Sequence, residues 1–156
     1  MRTALLTLAA ALAALSVHAA DPAHDAPAKA GAKPPPPYSE QIMAGDTLYV
    51  AGHIGVDPAT GKVPADAAAE TRLVMDAIKQ NVEDAGLAMD DVVSVTVYCS
   101  DLDLYDKFNS AYRGYFRGHF PTRAFIGVAK LLAGAHFEVS AIAVRPQGVR
   151  KLGSGG

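Results

Sequence analysis

The sequence predicts an α+β domain: a single mixed β-sheet with two helices packed on one face. Three observations lead there. Periodicity and turn chemistry read out the order β-β-α-β-α-β-β over residues 38–144. Two helices are enough to cover one face of five strands but not both. The chain also supplies no third layer for the other face, whose candidate residues are partly apolar, so a second copy is expected to cover it.

The elements follow in order. Residues 38–44 (YSEQIMA) form a plausible first strand and Gly45-Asp46 a turn. Residues 47–51 (TLYVA) are rich in β-formers and give the second strand. Residues 52–61 read as a loop, with Asp57-Pro58 and Thr60-Gly61 as turn signals and His53 as a loop residue. Pro64-Ala65-Asp66 opens a helix whose apolar stripe is Ala67, Val74, Ala77, Ile78, Val82 and Ala85. Gly86 stops it, being free to take positive φ. Residues 92–98 (VVSVTVY) are strongly β.

Asp101 or Asp103 is placed to cap the second helix. Its stripe is Tyr105, Phe108, Tyr112, Tyr115 and Phe116, read as core, and Gly118 and Pro121 bound it. Residues 123–131 and 136–144 read as the last two strands, with Gly134 in the short connection between them.

The ends do not read as part of this fold. Residues 1–19 carry Arg2, then an apolar run from Leu5 to Leu15 broken only by Thr7, then Val17-His18-Ala19. That is the pattern of a cleavable secretory signal peptide. The run is too short to span the ~30 Å hydrocarbon core of a bilayer as a helix, so no stable membrane insertion is expected after cleavage. Residues 20–37 are rich in Ala and Pro, end in four consecutive prolines, and suit a flexible linker. The domain occupies 38–150, and 151–156 form a Gly-rich tail. The expected location is periplasmic or secreted.

Composition narrows the function. The formal charge is −2, and removing residues 1–19 deletes only Arg2, giving −3 (−2 minus +1). A nucleic-acid partner asks for a basic face, so none is expected. Cys99 is the only cysteine, which rules out an intrachain disulfide; at the end of an apolar strand it reads as a small buried hydrophobe. There is no phosphate-binding glycine loop, no Cys-x-x-Cys, no His-Glu-x-x-His and no Gly-x-Ser-x-Gly. The histidines lack metal-ligand spacing, so no metal site is expected.

One constellation is sharper. In Pro121-Thr122-Arg123-Ala124-Phe125-Ile126 an arginine heads an apolar strand. A guanidinium there is costly unless it meets a carboxylate or lies at a cleft mouth. Its rigid fork of donors matches a carboxylate bidentately. Glu138 lies in the next predicted strand. If the two strands form a hairpin, Arg123 and Glu138 lie near its open ends, either sharing a cleft or forming a structural ion pair.

The block 121–144 resembles the signature region of the RidA (YjgF) family. Pro121-Thr122-Arg123-Ala124 is similar to its Pro-x-Arg-small pattern, and Phe137-Glu138 with Ser140-Ala141-Ile142-Ala143-Val144 to its last strand. Upstream, Pro37-Tyr38-Ser39, residues 50–55 (VAGHIG), residues 57–64 (DPATGKVP), Val95-Thr96-Val97 with Asp101-Leu102, and Phe108-Asn109 resemble further family segments in order and spacing.

The resemblance implies a homotrimer of a chorismate-mutase-like fold with clefts between subunits. It also implies hydrolysis of imines and enamines such as 2-aminoacrylate and 2-iminopropionate to 2-oxo acids and ammonia, without metal or organic cofactor. By position, Arg123 would hold the carboxylate of a small substrate. Glu138 would orient or activate water. Tyr38 would line the cleft from the subunit boundary. Asn109, Gly52 and Phe125 would complete the substrate site. Ala51 and Phe125 depart from residues common in active relatives, which carry Ser or Thr, and Cys, respectively. Three alternatives stay open: a carboxylate-binding protein that does not turn its ligand over, a holdase-type chaperone on the same scaffold, and, remotely, a chorismate mutase.

Overall fold

A computed structural model describes residues 34–146. The signal peptide, most of the linker and the tail expected from the sequence lie outside the described residues. Backbone contacts divide the chain after Pro35, and the unit from Pro36 onward carries the fold.

The predicted element order is observed: β1 (Gln41–Ala44), β2 (Thr47–Ile54), α1 (Ala67–Asp84), β3 (Val92–Cys99), α2 (Tyr105–Tyr112), β4 (Thr122–Gly127) and β5 (Phe137–Val144). Short 3-10 turns precede β3, flank α2 and precede β5. One sheet holds all five strands in the order β1-β2-β5-β3-β4. It is mixed: β3 and β4 run parallel, joined by the crossover through α2, and the other pairs are antiparallel.

Both ends of α1 are closed by local chemistry. The Asp66 carboxylate accepts from the backbone N–H groups of Ala68 and Ala69, each at 3.2 Å. A side-chain cap of this kind stabilises a helix by about 1 kcal/mol. At the other end Gly86 takes φ +72°, its N–H donates to Glu83 O, and Leu87 N–H donates to Val82 O. That pair of bonds satisfies carbonyls the helix would otherwise leave open.

One sheet face is dry. Leu48, Val50, Val95, Val97, Phe137, Val139, Ala141 and Ala143 point from it onto Val74, Met75, Ile78 and Val82 of α1 and Phe108 and Tyr112 of α2. Cys99 is fully buried there, as expected. The stripe of α1 also includes Glu70 and Thr71, both fully buried. The Glu70 carboxylate accepts from the backbone N–H of His136 (2.7 Å) and Phe137 (2.9 Å), and His136 Nδ1 lies 2.6 Å from its Oε2. This clamp ties α1 to the first residues of β5. Gly55 packs so closely on Glu70 that an added Cβ would collide with its backbone oxygen.

The other sheet face carries no layer among the described residues. Cross-strand partners share a face, so Tyr49, Ile142, Ser94 and Thr122 form one row, and Ile54, Glu138, Tyr98 and Ile126 another. Ile42, Tyr49 and Ile126 are exposed apolar residues on it.

Two expectations about the C-terminal strands are corrected. β4 ends at Gly127 rather than at residue 131, and β4 and β5 do not form a hairpin. β3 lies between them. The crossover carries β4 beyond β3 to the sheet edge, and the chain must return over β3's end to enter β5. The return includes Ala133 and Gly134 at φ +54° and +71°, which no regular strand accommodates.

Candidate functional site: an arginine fork at the sheet edge

Arg123 sits on edge strand β4 in register with Val95, which in turn pairs with buried Ala141. It therefore points to the helix-covered face, where α2 meets it. Its Nη1 donates to Asn109 Oδ1 at 2.8 Å and its Nη2 to Tyr105 Oη at 3.3 Å. The guanidinium carbon lies 4.7 Å from the Tyr112 ring centroid, 5.5 Å from that of Phe125 and 5.7 Å from that of Tyr105. Aromatic faces favour a cation at these separations. No described carboxylate lies within ion-pair reach of Arg123. Two neutral partners and an aromatic collar thus fix the fork and leave its charge uncompensated.

The cavity beside it has a volume of about 280 Å³ and is lined by Asn109, Tyr112, Arg113, Phe120, Pro121 and Arg123. Phe125 is not among those residues. It packs edge-on against Tyr105 and Phe108, with centroids 4.9 and 5.4 Å apart, and so supports the arginine from the core side. Tyr112 is buried, and its hydroxyl has no hydrogen-bond partner among the described residues. Burial pushes its phenol up to about 12, against the pull of the nearby Arg123 charge.

Glu138 is elsewhere in the same chain. Its neighbours Phe137 and Val139 are fully buried toward the helices, so Glu138 points to the open face, in register with Tyr98 and Ile54. Arg123 and Glu138 thus lie on opposite faces of one sheet. Within one subunit they neither share a cleft nor form the ion pair that the sequence left open. The reason is the inserted β3 strand and the alternation along β5.

Gly52, by contrast, is brought to Glu138. It lies where the β2–β5 register slips between Val50 and His53, and an added Cβ would collide with Glu138 Oε1. Tyr38 precedes β1, at the sheet edge opposite β4, and is 63% exposed. The expected residues therefore fall into three places: Arg123, Asn109 and Phe125 at the β4 edge, Gly52 and Glu138 on the open face, and Tyr38 beside β1.

Tyr105 was read as core and is instead a partner of Arg123, exposed at the helix start. Its spacing from Asn109 along one helix was the available signal. His53 is not in a loop: it lies near the end of β2, with Nε2 3.3 Å from Asn81 Nδ2 of α1.

Together the fold and this edge define a class: a small α+β protein with an arginine-centred pocket and an uncovered sheet face. Comparison with known proteins narrows it. The family described as Endoribonuclease L-PSP matches residues 28–145. A protein of Escherichia coli K12 named 2-iminobutanoate/2-iminopropanoate deaminase is 40% identical over 112 residues, covering 70% of this chain and 88% of its own. A RutC family protein of Sulfurisphaera tokodaii is 40% identical over 111 residues, 70% of this chain and 89% of its own. Among solved structures, E. coli TdcF with bound serine superposes with a TM-score of 0.68 at 34% identity, covering 72% of this chain and 91% of that one. The chain belongs to the Endoribonuclease L-PSP family, which is the RidA/YjgF family that its signature residues resemble.

Proposed function

We propose that the protein hydrolyses imines and enamines of the 2-iminopropionate and 2-aminoacrylate type to 2-oxo acids and ammonia. The observation that carries this reading is the uncompensated Arg123 fork, preset by Asn109 and Tyr105 beside a cavity sized for a small molecule. The deaminase name of the 40%-identical E. coli relative supports it.

The site becomes complete only when copies associate. Arg123 lies at the β4 edge, Glu138 and Gly52 lie on the open face, and Tyr38 lies at the far edge. A homotrimer that packs open faces inward brings one copy's edge to the next copy's face. It also covers Ile42, Tyr49 and Ile126, whose exposure is otherwise unexplained.

An imine carbon is already electrophilic, so the protein has three tasks: to hold the carboxylate, place a water and manage its protons. Arg123 takes the carboxylate in its fork. Glu138 of an adjacent copy accepts a proton from water as the oxygen bonds to the imine carbon, and a proton is delivered to the nitrogen. The hydroxyl proton then passes to the amine nitrogen, C=O forms, the C–N bond breaks and ammonia departs. Orientation of this kind supplies at best ~7–11 kcal/mol of barrier lowering.

We further propose an exported protein, with 1–19 as signal peptide and 20–37 as tether. A reporter fused after Ala20 that stays in the cytoplasm would remove this part.

The central test mixes two inactive variants. Arg123→Ala and Glu138→Gln, each trimeric and each unable to release ammonia and 2-oxo acid from 2-iminopropionate, are unfolded together and refolded. A shared site regenerates intact clefts, and activity returns. Two variants that stay inactive on mixing overturn the shared site. Wild-type protein that binds pyruvate without accelerating hydrolysis overturns catalysis.

A further inference from the structure

The cavity beside Arg123 holds a second guanidinium. Arg113 follows Tyr112 at the end of α2 and lines the same space, its guanidinium carbon 5.6 Å from the Phe120 ring centroid. Like Arg123, it has no described carboxylate within ion-pair reach. Tyr112 directly precedes Arg113 in sequence and lines the same cavity with its ring, 3% exposed.

Two positive charges around about 280 Å³ exceed what a single carboxylate needs. A 2-iminopropionate held by Arg123 presents only a methyl group to the rest of the cavity. A substrate with a second carboxylate gives Arg113 its counter-charge. The volume lies near the small end of ligand sites, which suits a four- or five-carbon diacid better than a peptide or a cofactor.

We propose that Arg113 forms a distal-carboxylate subsite, and that the preferred substrates are 2-imino dicarboxylates such as the imine of aspartate. This deepens the deaminase reading and rests on it. The chemistry at the imine carbon is unchanged: water adds, ammonia leaves, and the product is a 2-oxo dicarboxylate. The distal carboxylate takes no part in bond making. Arg113 is then a specificity residue, not a catalytic one.

The test compares 2-iminosuccinate with 2-iminopropionate, both generated in situ by amino-acid oxidation, in wild type, Arg113→Gln and Arg113→Lys. Wild type should favour the dicarboxylate in kcat/KM. In Arg113→Gln the ratio of the two kcat/KM values should fall by ~10- to 100-fold, chiefly through KM for the dicarboxylate, as loss of ground-state binding requires. Arg113→Lys should restore part of the ratio. A ratio unchanged in Arg113→Gln, with both imines still turned over, overturns the subsite and leaves the deaminase standing. If no imine is turned over, the deaminase reading falls, and calorimetry of oxaloacetate against pyruvate decides the subsite: equal affinities overturn it, and a preference lost in Arg113→Gln upholds it.

Discussion

Two charged groups in this chain are handled in opposite ways. Glu70 is fully buried, and its carboxylate is met by two backbone N–H groups and the His136 ring. Arg123 is half-buried and meets only an amide oxygen, a phenol oxygen and aromatic faces. A charge with a structural task is completed within its own chain, because an unpaired buried charge is expensive. A charge with a binding task is fixed in direction by neutral groups and left without its counter-ion. The contrast distinguishes scaffold from site without reference to any relative, and it makes the two residues fail differently when removed.

Arg123→Ala should give the largest effect on activity and little on stability. It removes a charge-assisted fork and should cost ~3 kcal/mol of transition-state stabilisation, roughly a hundredfold or more in kcat/KM. Arg123→Lys keeps the charge but loses the fork, and should recover only a minor part. Steady-state kinetics beside a thermal melt decides this. A variant that loses more in melting temperature than in rate would make Arg123 a scaffold residue.

Glu70→Ala should do the reverse. It strands the N–H groups of His136 and Phe137 and opens a void beneath Gly55, at ~2–4 kcal/mol of folding stability. Urea unfolding monitored by far-UV circular dichroism measures it. A loss under ~0.5 kcal/mol would mean that water or relaxation replaces the clamp and would end the comparison drawn above.

Gly52→Ala sharpens the contrast on the open face. The added methyl meets Glu138 Oε1, the far end of a flexible side chain. The carboxylate swings aside at small cost in stability, yet a general base must be within hydrogen-bond reach of its proton. The expected loss is ~10-fold or more in kcat, with the melting temperature almost unmoved. Full activity in Gly52→Ala would take Glu138 out of the mechanism.

Much of this arrangement was legible in the sequence. The β-rich runs of β2 and β3, the Asp66 cap, the Gly86 stop and the α1 stripe from Val74 to Val82 are local signals, and the structure uses each of them. Arg123 stood out because a guanidinium in an apolar strand demands an explanation. Sheet order was not legible. Strands adjacent in sequence looked like a hairpin, and only the parallel crossover through α2 reveals that β3 separates them. Glu70 was passed over because a carboxylate counts as polar in any stripe, whereas its burial depends on N–H groups far away in sequence. Tyr105 and Arg113 were missed for a related reason. An aromatic on a helix stripe reads as core, and an exposed arginine reads as surface, until β4 is placed beside α2.

The smallest effect tests Tyr112, the buried residue beside Arg113. Its phenol is raised from 10 to about 12 by burial. A raised folded-state value means that the folded chain holds its proton where the unfolded chain has lost it. The associated stability is therefore intact below pH ~10 and is lost as pH climbs from 10 toward 12. Tyr115 is raised in the same direction by burial and by its hydrogen bond to Asp76, so it adds to the alkaline loss. Tyr112→Phe deletes one of these two titrations and an unpartnered hydroxyl. At neutral pH the stability change should stay within ~0.5 kcal/mol, because no hydrogen bond inside the described chain is lost. At pH 11 the variant should be more stable than wild type, and its alkaline unfolding midpoint should lie higher. Unfolding curves at pH 7 and 11 read both quantities. A variant weakened equally at both would mean that the hydroxyl has a partner in the assembled protein, supplied by a neighbouring copy.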